Sequence, residues 1–221
     1  MPFVSVLPRK KFWGWNSPAD DSRARMKVME LREALLAEYD TDAYMTMYSA
    51  GGQTHIHRVN LCGYEIYPHP LRVTVFCADY DNPGKNSDHE PWPQGEEEPR
   101  VRALVDAWRK AEILQGAIFH STLKGIHIIQ PLLVPIPIQK ALPYYRWWLF
   151  KIREAGVEYD KAIEKEVGRL WRLANVRREH KGQLIDYRPS VMLLDDVQPL
   201  ALPQLSEDEL AAFGGARESP K

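Results

Sequence analysis

Two aspartates follow an apolar stretch in residues 73–84, VTVFCADYDNPG. Asp79 and Asp81 are two positions apart on a predicted strand, so their side chains point to the same face. Two carboxylates held this close repel each other, and a hard divalent cation such as Mg²⁺ or Mn²⁺ relieves the repulsion. Two such cations about 3.5–4 Å apart stabilise the attacking and leaving oxygens of a phosphoryl transfer. The alternative is a solvated strand end that runs into a turn.

A second group of reactive side chains lies in residues 120–132, HSTLKGIHIIQPL. The pattern predicts a strand, a small polar turn and a second strand that begins near His127. Ser121, Thr122 and Lys124 offer hydroxyl and ammonium groups, which together with backbone N–H groups can bind a triphosphate. The alternative is a plain hairpin whose histidine belongs to the core.

A third group lies in residues 157–184, where Asp160 follows a short apolar stretch. Arg169 and Arg172 recur at i, i+3 on a helix predicted over residues 158–173. Residues 141–182 hold ten Lys and Arg against six Asp and Glu, a local charge of +4, whereas the whole chain has a net charge of −1. A local basic region of this kind suits phosphate binding, and it equally suits a solvated amphipathic helix.

In this order the three groups resemble the motifs of the archaeo-eukaryotic primase superfamily of primases and primase-polymerases. In that family motif I is Asp-x-Asp or Asp-x-Glu, motif II is a Ser-x-His-like strand turn, and motif III is an Asp after a hydrophobic residue. STLKGIHIIQPL is similar to motif II in the polymerase domain of bacterial end-joining ligases. Residues 160–182 are similar to the primase small subunit, in which a basic residue and a Lys-Thr-Gly-like turn follow motif III. The resemblance covers residues 40–195 and rests on short motifs.

The resemblance implies template-directed nucleotidyl transfer from NTPs or dNTPs, on a single-stranded or primed DNA template, by a two-metal mechanism with Mg²⁺ or Mn²⁺. Asp79, Asp81 and Asp160 would bind the metals. The side chains implied to bind the nucleotide are those of Ser121 or Thr122, Lys124, His127, Arg172 and Lys181. The zinc-binding insert of some family members is absent, and we expect no zinc.

Two other functions are alternatives to nucleotidyl transfer. A catalytically degenerate accessory protein that binds single-stranded DNA would use residues 143–153, PYYRWWLFKIR, because bases stack on aromatic rings beside cationic groups. For this segment we favour an amphipathic helix with buried aromatic side chains. A metal-dependent phosphodiesterase would use the same carboxylates, but it has no need of the Ser-Thr-x-Lys-Gly-x-His turn. A separate helicase or another replication or repair protein is a candidate partner.

Composition and cysteine content exclude several classes of protein. A chain of 221 residues with a net charge of −1 is not a uniformly basic nucleic-acid binder. Cys62 and Cys77 lie in apolar runs away from any Cys/His cluster, so we expect two reduced core cysteines. The chain begins without the apolar core of a signal peptide, and no stretch reaches the roughly 18–20 apolar residues of a membrane span. We therefore expect a cytoplasmic protein of a prokaryotic, phage or plasmid setting, with no membrane partner.

The elements along the chain are mixed rather than strictly alternating, which favours an α+β fold. We expect an irregular basic arm over residues 1–20, one catalytic domain over 21–200, and a short helix with a flexible tail over 201–221. Helices are predicted over residues 21–39, 101–116, 141–155, 158–173 and 207–213, the last with a capping box at Ser206 and Glu209. Strands are predicted within residues 43–50, 55–67, 71–80 and 117–136, extended chain over 182–196, and a polar loop over 82–100.

The resemblance adds a more detailed expectation about the fold. It implies a primase-polymerase core in which helices flank a mixed or antiparallel sheet with an RRM-like unit. Motifs I and III would share one sheet, a smaller subdomain would carry motif II, and the active site would lie in the cleft between them.

Overall fold

The structure, a computed structural model, describes residues 2–8, 25–40, 43–49, 56–58, 71–82, 92–165, 167–180 and 183–215. The strands in these ranges are β1 (Phe3–Pro8), β2 (Arg25–Glu30), β3 (Ala43–Thr46), β4 (Tyr48–Ser49), β5 (Ile56–Arg58), β6 (Arg72–Asp81), β7 (Ile118–Ser121), β8 (Gly125–Pro137), β9 (Leu170–Arg172), β10 (Val176–His180), β11 (Gln183–Tyr187) and β12 (Met192–Leu193). The helices are α1 (Leu31–Leu36), α2 (Glu97–Trp108), α3 (Glu112–Gln115), α4 (Ile138–Glu154), a 3-10 helix (Lys161–Lys165) and α5 (Glu207–Gly214). The protein is therefore α+β, as the sequence predicts.

The strands form two larger sheets and one hairpin. The first sheet has the order β5-β2-β1-β3-β9, the second sheet has the order β12-β7-β8-β6-β4, and β10 pairs with β11. The strand pairs within the sheets are antiparallel, as between β6 and β8 and between β7 and β8. Antiparallel pairing lets strands that are neighbours in sequence lie side by side, which suits the short turn between β7 and β8.

The chain passes from the first sheet to the second at Met47, between β3 and β4. The carbonyl oxygen of Met47 accepts a hydrogen bond of 2.9 Å from the backbone N–H of Thr74, in the second sheet. The hydroxyl of Thr74 donates a bond of 2.7 Å to the carbonyl oxygen of Phe3, in the first sheet. Met47 is completely buried. Both sheets consequently contribute to one continuous hydrophobic core.

Helices α2 and α4 cover one face of the second sheet. Phe76 of β6 contacts Tyr145 and Trp148 of α4, with ring centroids 5.4 and 5.7 Å apart. Trp108 of α2 contacts Tyr80 at 5.2 Å. Because successive side chains of a strand point to opposite faces, Asp79 lies on the face away from these helices, towards the first sheet.

The predicted positions of motifs I and II need correction. We expected motif II on a smaller unit, separated by a cleft from the sheet that carries motif I. Instead, β7 and β8 pair directly beside β6 in the second sheet. The direct pairing is possible because Gly125, at the start of β8, has no side chain to keep the two backbones apart.

The N-terminal prediction is wrong in two places. Residues Phe3–Pro8, expected in an irregular arm, form β1, which pairs with both β2 and β3. The helix predicted over residues 21–39 is a strand over Arg25–Glu30, and only Leu31–Leu36 are helical. Pairing of β2 between β1 and β5 outweighs the helical spacing of its apolar residues.

The helix predicted over residues 158–173 is also wrong. That segment contains the 3-10 helix and β9, which pairs with β3. Arg169 and Arg172 therefore do not lie one turn apart on a helix. Trp171 in β9 is only 3% exposed, and burial of its ring stabilises β9 at the edge of the first sheet.

Other predicted elements agree with the structure. Helices α4 and α5 are confirmed, including the reciprocal capping box of Ser206 and Glu209. The helix predicted over 101–116 is divided into α2, which already begins at Glu97 in the predicted loop, and α3, which ends at Gln115 with Gly116 as its C-cap. Strand β6, the β7–β8 pair and extended chain after residue 182 are confirmed. Most of the strand predicted over 55–67, residues 83–91 of the predicted loop and the tail beyond 215 lie outside the described residues.

Cys77 is a fully buried free cysteine, and burial raises the pKa of its thiol well above the usual value. It is therefore an inert core residue, as predicted. Cys62 lies outside the described residues. None of the helices in the described part of the chain is both long enough and apolar enough to cross a membrane.

Candidate active site

Three neighbouring strands bring an imidazole, a second imidazole and a carboxylate side by side. His127 of β8 is paired with Asp79 of β6 on one side and with His120 of β7 on the other. Residues directly opposite each other in a sheet share a face, so these three side chains form a row. His127 Nε2 lies 3.6 Å from Asp79 Oδ1, and the two imidazole rings meet edge to face with centroids 4.9 Å apart.

The turn before His127 depends on a glycine. Gly125 is paired with Asp81, and a Cβ atom built on Gly125 would lie 1.8 Å from the carbonyl oxygen of Tyr80. The N–H of Thr122 donates to the carbonyl oxygen of Gly125 at 2.8 Å, which closes the turn. The Lys-Gly pair noted in the sequence therefore has a structural cause, because only glycine allows β8 to pair with β6 at this point.

Segments outside the turn also hold it in place. Asn82 donates its backbone N–H to the carbonyl oxygen of Lys124 at 2.7 Å, and Trp92 donates its backbone N–H to that of Leu123 at 3.4 Å. The indole N–H of Trp92 donates to the carbonyl oxygen of Thr122 at 3.0 Å. Each of the three turn carbonyls thus accepts a hydrogen bond, which fixes the conformation from which Thr122 and Lys124 reach the cavity.

A cavity of about 290 Å³ lies over the row of His120, His127 and Asp79. The second sheet supplies most of its wall, while β9 of the first sheet and β11 of the hairpin supply the rest. The lining residues are Asp79, Asp81, His120, Thr122, Leu123, Lys124, His127, Arg172, Leu173 and Tyr187. Carboxylates and cationic groups therefore line one cavity, an arrangement that can bind a metal–phosphate complex.

Six of the predicted site residues line this cavity, namely Asp79, Asp81, Thr122, Lys124, His127 and Arg172. Ser121 does not line it. Ser121 is completely buried, and its Oγ accepts a hydrogen bond of 3.2 Å from the N–H of Val191. Ser121 neighbours His120 in the strand and so points to the opposite face. The sequence left undecided whether Ser121 or Thr122 provides a hydroxyl to the site, and only Thr122 lines the cavity. Lys181, also predicted to bind the nucleotide, lies outside the described residues.

Asp160 lies next to β6 but does not line the cavity. Its backbone N–H donates to the carbonyl oxygen of Asp79 at 3.2 Å. Its Oδ1 accepts from the N–H of Ala162 at 2.9 Å, and its Oδ2 accepts from Arg169 Nη1 at 3.4 Å. Among the residues that the structure describes, no group of three or more His, Cys, Asp or Glu side chains is arranged to hold a metal ion. Each oxygen of the Asp160 carboxylate retains a second lone pair.

His120 is held in its neutral form. It is 1% exposed, and burial lowers its pKa from 6.5 to about 3, with a further lowering from electrostatic coupling to the neighbouring His127. A hydrogen bond of 3.1 Å between Nδ1 and the carbonyl oxygen of Ser121 opposes this shift. The buried end of the cavity therefore carries an uncharged imidazole, in contrast to the cationic Lys124.

Arg172 is held by aromatic neighbours. Its Nη2 donates to the hydroxyl of Tyr44 at 3.2 Å, and its guanidinium lies 5.5 Å from the centre of the same ring. Beside it, Trp171 meets the His127 ring edge to face at 5.8 Å. These contacts link the edge of the first sheet to the histidine of the second sheet, so both sheets position the site.

The sequence did not identify four lining residues, namely His120, Leu123, Leu173 and Tyr187. Of these four, His120 has the most reactive side chain, and it directly precedes the Ser-Thr pair of motif II. The feature of the sequence that could have indicated its role is its spacing of seven residues from His127. This spacing places the two side chains on one face of the sheet only if the turn has the length observed here.

The aromatic and basic segment 143–153 lies in α4. Tyr145 and Trp148 are completely buried, which confirms the favoured interpretation of a packed amphipathic helix for these rings. Arg146 donates hydrogen bonds to the carbonyl oxygens of Glu164, Phe213 and Gly215. These side chains therefore stabilise the fold and do not form a surface on which bases could stack.

Comparison with known proteins adds little to what the geometry of the site indicates. No protein-family model matches the chain, and no curated protein matches it. Among solved structures, the chain is similar to the AEP domain of the primase-polymerase (PrimPol) of cyanophage S-2L. The two share 12% sequence identity with a TM-score of 0.37, over 82% of this chain and 76% of the other. Similarity at this level carries no argument about activity.

Proposed function

We propose that the chain is a template-directed nucleotidyltransferase with an archaeo-eukaryotic-primase-like core, which extends a nucleic-acid strand from NTPs or dNTPs. One observation carries the proposal. Asp79 and Asp81, which match motif I, line the same cavity as Lys124 and His127, which match motif II. The motifs resemble those of primase-polymerases in the sequence, and the pairing of β6 with β8 makes them neighbours in space.

The residues of the cavity supply part of the set of ligands that a pair of hard divalent cations requires. Asp79 and Asp81 supply carboxylate oxygens on one face, the donor type that Mg²⁺ and Mn²⁺ prefer. Asp160 is the proposed third ligand, through the lone pairs that Ala162 and Arg169 leave free, and these two contacts would orient it. Bound there, the metal ions would supply positive charge to the attacking hydroxyl and to the leaving pyrophosphate.

The remaining polar residues would hold the nucleotide. Lys124 and Arg172 bring positive charge to the cavity, and Thr122 brings a hydroxyl from the rigid turn. His127 lines the cavity beside the Asp79 carboxylate, so its ring can donate a hydrogen bond to a phosphate oxygen. A volume of about 290 Å³ is near the lower end of the usual range for small-molecule sites.

The partners of the reaction are part of the proposal as well. A single-stranded or primed DNA template would pass the cavity, and a separate helicase or repair protein would act with the enzyme in a prokaryotic, phage or plasmid setting. Within α4, the rings of Tyr145 and Trp148 are not available to stack on the template, because both are buried in the core.

A primer-extension assay tests the proposed function. The protein is incubated with labelled NTPs or dNTPs, Mg²⁺ or Mn²⁺, and a primed or unprimed template. We expect extension by the wild type and a loss of roughly 100-fold or more when Asp79→Ala and Asp81→Ala are combined, because hard-cation sites need their carboxylates. Asp106→Asn, an exposed change on α2, is the matched control and should leave extension unchanged.

The other outcomes discriminate between the candidate functions. Extension that persists in the folded double variant would contradict the assignment of the metal site. Shortening of the labelled strand would favour a metal-dependent phosphodiesterase. Strand binding with neither reaction would favour an accessory protein that binds single-stranded DNA.

A further inference from the structure

One ring nitrogen of His120 forms a hydrogen bond with the backbone. Its Nδ1 lies 3.1 Å from the carbonyl oxygen of Ser121. A carbonyl oxygen only accepts, so Nδ1 carries the hydrogen and donates it. In the neutral ring the other nitrogen, Nε2, then bears a lone pair and can only accept.

The Nε2 atom of His120 is buried and has no hydrogen-bond partner within the described part of the chain. Buried polar atoms in folded proteins almost always have a partner, because an unsatisfied one carries the full cost of losing water. His120 also lines the cavity, where it lies beside His127. An unsatisfied acceptor at the wall of a cavity indicates a ligand that donates.

We propose that Nε2 of His120 accepts a hydrogen bond from a neutral hydroxyl or amino group of the molecule that occupies the cavity. The inference rests on the proposed function, in which this molecule is a nucleotide. An ionised phosphate oxygen has no proton to donate, and its negative charge repels a lone pair. The donor therefore belongs to the nucleoside part, either to a sugar hydroxyl or to an amino group of the base.

This assignment orients the nucleotide in the cavity. The phosphates lie towards Lys124 and the two aspartates, at the end of β6 and the adjoining turn. The nucleoside part lies towards β7, on the other side of His127 from Asp79. His120 is thus a determinant of nucleoside binding, whereas Lys124 is a determinant of phosphate binding.

Two variants of His120 separate its structural bond from its ligand bond. In His120→Asn, the side-chain amide N–H reaches the position of Nδ1–H and can still donate to the Ser121 carbonyl oxygen, but no atom replaces Nε2. In His120→Gln, the longer side chain places an amide oxygen near the position of Nε2 and loses the bond to Ser121. A purely structural role predicts that Asn is the better substitute, and a ligand role predicts that Gln is.

The test measures dissociation constants by calorimetry, in the presence of Mg²⁺, for ATP, dATP, 2′,3′-dideoxy-ATP, UTP and inorganic tripolyphosphate. We expect His120→Asn to weaken nucleotide binding by a factor of roughly 3 to 10, the effect of one lost neutral hydrogen bond. Tripolyphosphate binding should be unchanged, and His120→Gln should bind nucleotide more tightly than His120→Asn although it melts at a lower temperature.

The nucleotide series identifies the donor. A loss seen with ATP but not with dATP indicates the 2′-hydroxyl, and a loss seen with dATP but not with the dideoxy analogue indicates the 3′-hydroxyl. A loss seen with ATP but not with UTP, whose base has no amino group, indicates the base.

Three results would overturn the inference while leaving the proposed function standing. These are unchanged nucleotide binding in His120→Asn, an equal loss of tripolyphosphate and nucleotide binding, or tighter binding by the Asn variant than by the Gln variant. Failure of the wild type to bind any of the five compounds would instead overturn the proposed function, and the role of His120 with it.

Discussion

Gly125 lies where β8 begins to pair with β6, and these two strands carry most of the site. The carbonyl oxygen of Tyr80 is 1.8 Å from the position that a Cβ on Gly125 would take, and the carbonyl carbon is 2.9 Å from it. Both are backbone atoms of β6, which is paired with β8 at this point, so they cannot move aside cheaply. The absence of a side chain at this residue allows the register in which His127 faces Asp79.

We predict that Gly125→Ala destabilises the protein by roughly 3 kcal/mol or more, because the added methyl group forces β8 away from β6. Gly156→Ala is the matched control. Gly156 has a φ of +87° but open space around its Cβ position, so that change should cost only about 1–2 kcal/mol. Urea unfolding measures both values. Equal stability of the two variants would show that the β6–β8 contact is not rigid.

The individual side chains of the site differ in how far the sequence predicts their positions. Asp79 and Asp81 share a face because strand alternation is a local property, and both line the cavity. The choice between Ser121 and Thr122, and the place of His120, depend on the turn length and on the register with β8. A shift of one residue reverses every face of a strand, so no local pattern could have placed these three.

Among the helices, α4 is the element that holds the C-terminal part of the chain. Arg146 on α4 donates from Nε to the carbonyl oxygen of Glu164 at 2.8 Å. Its Nη1 donates to the carbonyl oxygens of Phe213 and Gly215 at 2.9 and 2.7 Å, at the end of α5. One guanidinium thus satisfies carbonyl groups that a helix end leaves without intrahelical partners.

We predict that Arg146→Lys loosens α5 without unfolding the rest of the protein. An ammonium group lacks the planar fork that reaches several carbonyl oxygens at once. Backbone amides of residues 207–214 should exchange with deuterium roughly 10-fold faster, as expected for a local opening that has lost about 1–2 kcal/mol. Exchange measured by mass spectrometry checks this.

The control for that experiment is Arg102→Lys. Arg102 pairs with Glu98 one turn away on the exposed side of α2, at 2.9 Å, and an exposed pair of this kind contributes little. Exchange in α5 should be unchanged in the control. Unchanged exchange in Arg146→Lys as well would mean that other contacts, such as that between Phe150 and Phe213, are sufficient to hold the helix.

The elements that the sequence predicts well are those whose signals are local. The capping box before α5 and the amphipathic pattern of α4 each lie within one segment, and both elements are present. Strands β2 and β9 were predicted as helices because their residues have helical spacing. Strand β2 is extended because it pairs with β1, a segment that the sequence predicted as an irregular arm. Strand β9 is extended because it pairs with β3, which is distant from it in sequence.

For the molecule as a whole, the site lies where its two sheets meet. His127 of the second sheet contacts Trp171 of the first, and a single hydrophobic core includes residues of both sheets. The site therefore depends on the packing of the entire chain, and a group buried between the sheets can couple global stability to solution conditions. His120, which is 1% exposed, is such a group.

We predict that stability falls on acidification because His120 must bind a proton when the chain unfolds. Burial, and next electrostatic coupling to His127, lower the pKa of His120 from 6.5 to about 3. The unfolded chain therefore binds more protons than the folded one between these values, so stability is fully present above pH 6.5 and is lost as the pH falls towards 3.

The neutral variant His120→Asn isolates this contribution, because the other histidines and the carboxylates are common to both proteins. Between about pH 7.5 and about pH 5, the free energy of unfolding of the wild type should fall by roughly 2 kcal/mol more than that of the variant. Chemical denaturation at a series of pH values measures the difference. Parallel pH profiles for the two proteins would mean that the imidazole of His120 accepts a proton in the folded state, and that the floor of the cavity is more polar and better hydrated than its burial indicates.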